Sequence, residues 1–141
     1  MAGLVRFSEA ASLALHAMGI LARTPDRRMS NDELASALSA SSHHLAKVMQ
    51  RLAKAGLVKS TRGPRGGFQI SRRPHEIRLA EIYEAVDGPL PERGCLLTDQ
   101  ICNGGECMLG DLMGAVHQQV VSYLEHTTLA QMANGLHIVG V

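Results

Sequence analysis

Tryptophan is absent from the 141 residues, and only two phenylalanines and two tyrosines supply aromatic bulk. A core made without large rings must come from Leu, Ala, Val, Ile and Met, which favours packed helices over a β-sandwich. No run of 18 apolar residues occurs, so nothing reads as a membrane span. The apolar run from Ala10 to Ala22 resembles a signal-peptide core in length, but it carries Glu9 at its start and His16 inside it and reads better as a helix. Catalytic patterns are missing too. There is no Ser-His-Asp or paired-carboxylate arrangement, and the glycine-rich stretch from Gly63 to Gly67 lacks the Gly-Lys-Ser/Thr ending of a phosphate loop. The chain is expected to be cytoplasmic and not an enzyme.

What is present is an ordinary globular composition, 45% apolar and 19% charged, enough for one domain with an added oligomerisation helix. The net charge of +1 conceals a sharp division. Residues 1–78 hold 13 of the 14 Lys/Arg and 5 of the 13 Asp/Glu, whereas residues 79–141 hold 1 and 8. A basic half joined to an acidic half points to one part that faces nucleic acid and another with a different task. From His43 to Arg78 there are nine Lys/Arg against one acid, Glu76.

Residues 8–22 have helical spacing, with Leu13, Ala17, Ile20 and Leu21 recurring behind a Ser8 cap. Ser30 and Glu33 form a capping box ahead of a short helix with Leu34, Ala35 and Leu38 inward. The serine-rich step from Ser39 to Ser42 turns the chain into a third helix ending near Ala55, with Leu45, Val48, Met49 and Leu52 as its apolar stripe and Gly56 as its left-handed stop. The opposite stripe is His43, Lys47, Gln50 and Lys54, with Arg51 beside it. That stripe fits the recognition helix of a helix-turn-helix, and equally an amphipathic surface helix with ordinary lysines. The next segment separates the two. Residues 57–61 read as a strand, residues 62–67 as a tight loop bearing Arg62 and Arg65, and residues 68–71 as the returning strand. A basic hairpin directly after such a helix is a wing, and arginines on a glycine-rich tip suit a narrow minor groove or a phosphate.

A further short helix, residues 78–86, is expected with Leu79, Ile82, Tyr83 and Val86 inward. A long helix follows from Met108 to His126, with Leu109, Leu112, Met113, Val116, Val120, Tyr123 and Leu124 as its apolar stripe. At about 1.5 Å per residue it is nearly 30 Å long, hard to bury in a small winged domain, and most economically paired with its own copy in a dimer. The expected organisation is mainly α: a winged helix-turn-helix domain over residues 1–87 with a two-stranded wing, a cysteine-bearing loop over 88–107, a dimerisation helix over 108–127, and a loosely packed or frayed tail over 128–141.

The three cysteines, Cys95, Cys102 and Cys107, all lie within 13 residues. An odd number in a cytoplasmic chain argues against a disulfide framework. On the residues alone the cluster is a metal or iron–sulfur site, a thiol redox switch, or a chance grouping. Structural zinc would want a fourth N or S ligand, and no fourth cysteine exists. The glycines Gly104 and Gly105 would supply bare N–H groups near sulfur.

Several stretches carry a family resemblance: Phe7-Ser8-Glu9-Ala10-Ala11, Leu52-Ala53-Lys54-Ala55-Gly56-Leu57-Val58, the wing from Ser60 to Phe68, Leu79 to Gly88, and Thr128-Leu129-Ala130. Over residues 4–132 the chain resembles the Rrf-two family of small bacterial winged-helix regulators, nearest its NsrR-like cluster-binding members. The resemblance implies a homodimer on palindromic operator DNA, a repressor whose affinity is set by an iron–sulfur cluster sensing nitric oxide, oxygen or iron–sulfur status. It implies Cys95, Cys102 and Cys107 as ligands. Their gaps of six and four residues depart from the common five and five. Gly110 stands where IscR-like members carry a histidine ligand, whereas Glu9 matches the acidic ligand that NsrR-like members take from the partner subunit. That arrangement favours four irons over two. First-turn dipole compensation is the other reading of Glu9, and His43, His44 and His117 are the remaining candidate ligands. A cluster-free regulator using the cysteines as a thiol switch is the alternative. The residues expected on DNA are Ser41, Ser42, His43, Lys47, Gln50, Arg51 and Lys54 in the major groove, with Arg62 and Arg65 in the minor groove.

Overall fold

The computed structural model describes residues 7–90, 95, 97, 99, 101–103, 107–137 and 139. Helix α1 (Glu9–Arg23) begins where the Ser8 hydroxyl accepts the Ala11 N–H at 3.0 Å, and Glu9 in its first turn and Arg23 in its last complement the helix dipole. Its inner face is largely alanine: Ala11, Ala14 and Ala17 are fully buried beside Met18 and Leu21, while Leu13 is only half-buried. Small side chains let neighbours approach closely, so α1 is the post around which the second, third, fourth and sixth helices of the chain pack.

Helix α2 (Asn31–Leu38) carries the capping box read from the sequence. Ser30 accepts the Glu33 N–H at 3.1 Å, and Glu33 accepts the Ser30 N–H at 3.1 Å. Ser39 stops α2 in the left-handed region (φ 51°), and Ser41 caps α3 (Ser42–Lys54) by accepting the His44 N–H. All four residues of the expected α3 stripe are buried. Gly56 (φ 78°) ends the helix, and Leu57, whose N–H reaches the Leu52 carbonyl at 3.0 Å, turns back into the core.

The wing is antiparallel, β1 (Val58–Thr61) on β2 (Gly67–Ile70), with Val58 opposite Ile70 and Thr61 opposite Gly67. Met29 adds a bridge to Phe68 from outside. After a single 3-10 turn at Pro74–Glu76 comes α4 (Leu79–Asp87), burying Leu79, Ile82, Tyr83 and Val86 as expected. Helix α5 (Met108–His126) packs against α4.

The end of the chain differs from expectation. Residues 129–135 are not a loose tail but helix α6 (Leu129–Gly135), opened by a second capping box between Thr128 and Gln131. Leu129 is fully buried. A β-carbon on Gly19 would lie 2.8 Å from Leu136 and 3.0 Å from Met132, so a bare position on α1 makes room for this segment. Thr128 bridges Arg78, the Leu79 N–H reaches the Thr127 carbonyl at 3.0 Å, and the Leu129 N–H reaches the Ile77 carbonyl at 2.8 Å. One core therefore draws on both ends of the sequence.

Candidate nucleic-acid interface and cysteine segment

The α2–α3 corner is held by side chains. The Ser42 hydroxyl donates to the Asp32 carboxylate at 2.9 Å, and the Asn31 amide donates to the Ser42 carbonyl at 2.8 Å. Ser41 and Ser42, both expected on DNA, are thus also the joints of the turn. Outward from that corner, His43, Lys47, Gln50 and Lys54 are all exposed and, among the described residues, make no side-chain hydrogen bond or ion pair. At 3.6 residues per turn they span an arc of roughly 60°. Four unengaged polar ends, two of them cationic, on one helical face are free to meet phosphates and base edges.

Arg51 sits apart from them. It lies roughly 70° from the centre of that arc, and its guanidinium donates to the main-chain carbonyl of Val86 at 3.0 Å, tying α3 to the last turn of α4.

At the wing, Arg62 and Arg65 are exposed, with no side-chain partner among the described residues. Their loop is narrow: the Gly66 N–H reaches the Gly63 carbonyl at 2.8 Å, and Gly63 has φ 103°. A β-carbon on Gly66 would sit 2.2 Å from the Thr61 carbonyl oxygen, and one on Gly67 2.3 Å from that of Met29. These two glycines serve close approach within the protein. Two cations were overlooked: Lys59, exposed on β1, and Arg28, which donates to the Arg65 carbonyl at 3.0 Å. Lys59 adjoins the expected wing loop in the sequence, a signal that could have singled it out, whereas Arg28 has none, since its partner lies 37 residues away.

The start of α1 meets the end of α4. The Ser8 hydroxyl donates to the Asp87 carboxylate at 2.7 Å, and the rings of Phe7 and Tyr83 meet edge to face at 5.5 Å. Glu9 approaches His44, in the first turn of α3, at 3.9 Å. The expected acidic ligand and one of the histidine candidates are thus paired with each other. His117 lines a small cleft between α4 and α5 with Tyr83, Leu90 and Glu125, and His43 faces solvent.

No disulfide joins Cys95, Cys102 and Cys107. Cys107 caps α5, its sulfur accepting the Gly110 N–H at 3.3 Å, and the Cys95 sulfur accepts the Leu97 N–H at 3.4 Å. Soft sulfurs that accept backbone N–H groups suit an iron–sulfur cluster chemically. Gathering them is a separate matter: among the described residues no three His, Cys, Asp or Glu stand close enough to hold a metal. The expected contributions of Gly104 and Gly105 lie outside the described residues. No described helix is long and apolar enough to cross a membrane.

A family model described as Rrf2, iron-dependent transcriptional regulator, matches residues 7–135. A chain of Aquifex aeolicus bearing the name of an HTH-type transcriptional regulator is 30% identical over 131 residues, covering 91% of each chain. The HTH-type transcriptional regulator IscR of Pectobacterium atrosepticum is 28% identical over 98 residues, 70% of this chain and 60% of that one. Among solved structures, CymR, the global cysteine regulator of B. subtilis, has a TM-score of 0.77 at 25% identity, covering 94% of this chain and 99% of the other. The fold of T. potens IscR is also similar, with a TM-score of 0.71 at 23% identity, covering 93% of this chain and 88% of that one.

Proposed function

The chain belongs to the Rrf2 family of transcriptional regulators, and from that premise we propose that it is a cytoplasmic, homodimeric repressor whose hold on a palindromic operator is set by an iron–sulfur cluster. It is a DNA-binding winged-helix protein and not an enzyme, as its relatives are. The observation that carries the DNA-binding mode is the unengaged face of α3, His43, Lys47, Gln50 and Lys54. In this reading those side chains enter the major groove, and Arg62 and Arg65 reach the flanking minor groove.

The dimer is supported by how α5 divides its apolar stripe. Met113 and Leu124 turn inward and are buried, whereas Met108 (88% exposed), Leu109 (55%), Leu112 (52%) and Tyr123 (64%) turn away from the protein. A second α5 would cover them. A two-fold arrangement also presents two recognition helices, which is what a palindrome requires.

Cys95, Cys102 and Cys107 would hold the cluster, with Glu9 of the partner subunit as the fourth, most easily displaced ligand. A cluster with four irons is the favoured form. Bound there, it supplies reactivity toward nitric oxide or oxygen. The chain's own residues supply the route to DNA: Glu9 lies next to His44 on α3, and the end of α4, from which the cysteine segment departs, is joined to α3 by Arg51.

The likeness to CymR, named as a cysteine regulator, favours a second reading in which the three thiols act without iron as a redox switch. One experiment separates the two. Protein purified without oxygen is examined by visible spectroscopy with iron and sulfide assays, and duplexes selected from a random library are bound by it before and after nitric oxide. Broad absorbance near ~400 nm with bound iron and sulfide, and altered DNA affinity after nitric oxide, supports the cluster. A colourless protein whose DNA affinity follows thiol oxidation supports the switch.

A further inference from the structure

We propose that Arg28, which lies outside both the recognition helix and the hairpin, positions the wing and so sets its preference for the DNA flanking the operator core. The inference rests on the DNA-binding reading above. The root of the wing is clamped to the α1–α2 connection from several sides. Met29 and Phe68 exchange both main-chain hydrogen bonds, at 2.9 and 2.7 Å, and the Gln69 amide donates to the Pro25 carbonyl at 3.1 Å. Gly67 presses so near Met29 that no side chain fits between them. These contacts fix residues 67–69 and leave residues 62–66 projecting.

Among the described residues, the tie from that projecting loop back to the α1–α2 connection is the Arg28 guanidinium on the Arg65 carbonyl, at 3.0 Å. It grips main chain, so the Arg65 side chain stays free to point outward. Arg28 is itself anchored because the next residue, Met29, is one half of the bridge. A short, doubly supported lever thus ends on the residue that would enter the groove. Three guanidinium groups, of Arg28, Arg62 and Arg65, are brought to one small loop with no carboxylate paired to any of them among the described residues. That accumulation is unfavourable in isolation and is relieved by phosphates, and a narrow A·T-rich minor groove concentrates negative potential where an inserted arginine sits. An arginine placed there discriminates by groove width only if its loop is held at one angle.

The test uses the full chain and two duplexes that share the core selected from a random library, one with A·T-rich flanks and one with G·C-rich flanks, measured by fluorescence anisotropy. Wild type is expected to prefer the A·T flanks. Arg65→Ala should erase that preference. Arg28→Ala should weaken binding to the A·T-flanked duplex by about tenfold, the scale of one lost specific contact, and reduce the preference, with little effect on the G·C-flanked duplex. Arg28→Lys, which keeps a donor of similar reach, should restore most of it. The double variant should behave like Arg65→Ala alone, since the two residues act through one contact. Circular dichroism and thermal denaturation should be unchanged in Arg28→Ala. Equal loss on both duplexes, additive with Arg65→Ala, would make Arg28 a plain phosphate contact and overturn the proposal. Unchanged binding by Arg28→Ala, with Arg65→Ala still impaired, would overturn it while leaving the wing on DNA. Unchanged binding by Arg65→Ala would sink the wing reading and this proposal together.

Discussion

The guanidinium of Arg51 donates to the main-chain carbonyl of Val86 across 3.0 Å, joining the third turn of α3 to the last turn of α4. Carbonyls at a helix end have no partner within the helix, and an arginine there satisfies one of them while meeting the negative end of the dipole. The residue therefore holds α3 at a fixed angle to the element that leads into the cysteines. Arg51→Ala is expected to lower stability by about 1–2 kcal/mol, seen as a fall in Tm of roughly 3–6 °C at fixed protein concentration. An unchanged Tm with DNA binding lost would return Arg51 to the groove.

The wing glycines should respond unequally. Gly67→Ala forces a β-carbon against the Met29 carbonyl at a φ of 144°, and should cost about 2–3 kcal/mol or detach the wing. Gly63→Ala meets nothing within 4 Å and has only its φ of 103° against it, so its cost should stay near 1 kcal/mol. Chemical denaturation of both variants checks the order. Equal costs would mean that the approach to Met29 carries no weight.

Leu112→Glu places a charge in the middle of the outward half of α5. If α5 pairs with its copy as proposed, the variant should be monomeric in sedimentation experiments, without loss of helix content, because Leu112 is 52% exposed within its own chain. A dimer that survives would put the contact on another face.

If the three cysteines hold a cluster as proposed, Cys102→Ala should abolish visible absorbance and bound iron while leaving a folded protein in the same oligomeric state. Retention of a full complement of iron would mean that the ligand set is wrong.

Glu81 supplies a pH dependence. Partial burial pushes its carboxyl up, but the Arg72 hydrogen bond at 2.7 Å, the Arg78 N–H and the charges of both arginines together hold it below its usual range. Because the folded-state value is depressed, its stabilising contribution is present above the unfolded value, about 4.5, and is lost as pH falls through the folded one. Both partners are partly exposed, so at pH 7 wild type should exceed Glu81→Gln by no more than about 1 kcal/mol. The two should converge in acid. A gap that persists there would mean the pairing is not electrostatic.

What could be read from the sequence was whatever repeats at a regular interval or sits at a cap. The inner faces of α3 and α4 and the Ser30–Glu33 box stand as expected. Helix α6 escaped because it is only seven residues long, too short for periodicity, although Thr128 and Gln131 have the spacing of a second box. The tie from Arg51 to α4 had no periodic signal, since one step of about 100° around the helix from Gln50 turns it toward a carbonyl 35 residues away. The α5 stripe reads as a single face in the sequence, but it divides between inward residues, Met113 and Leu124, and outward ones, Leu109, Leu112 and Tyr123. Arg28 had no local signature, since its partner lies 37 residues away.

The pairing of Arg78 with Thr128 brings the two ends of residues 79–127 to one point, so that the DNA-reading body is discontinuous in the gene. Its base closes only when Leu129 and Ala133 arrive to cover α1. A chain emerging from the ribosome therefore exposes its cysteines and its outward-facing helix before the body that reads DNA is sealed. In this order of synthesis, the elements proposed to take iron and a second subunit exist first, and the body that meets DNA is completed last.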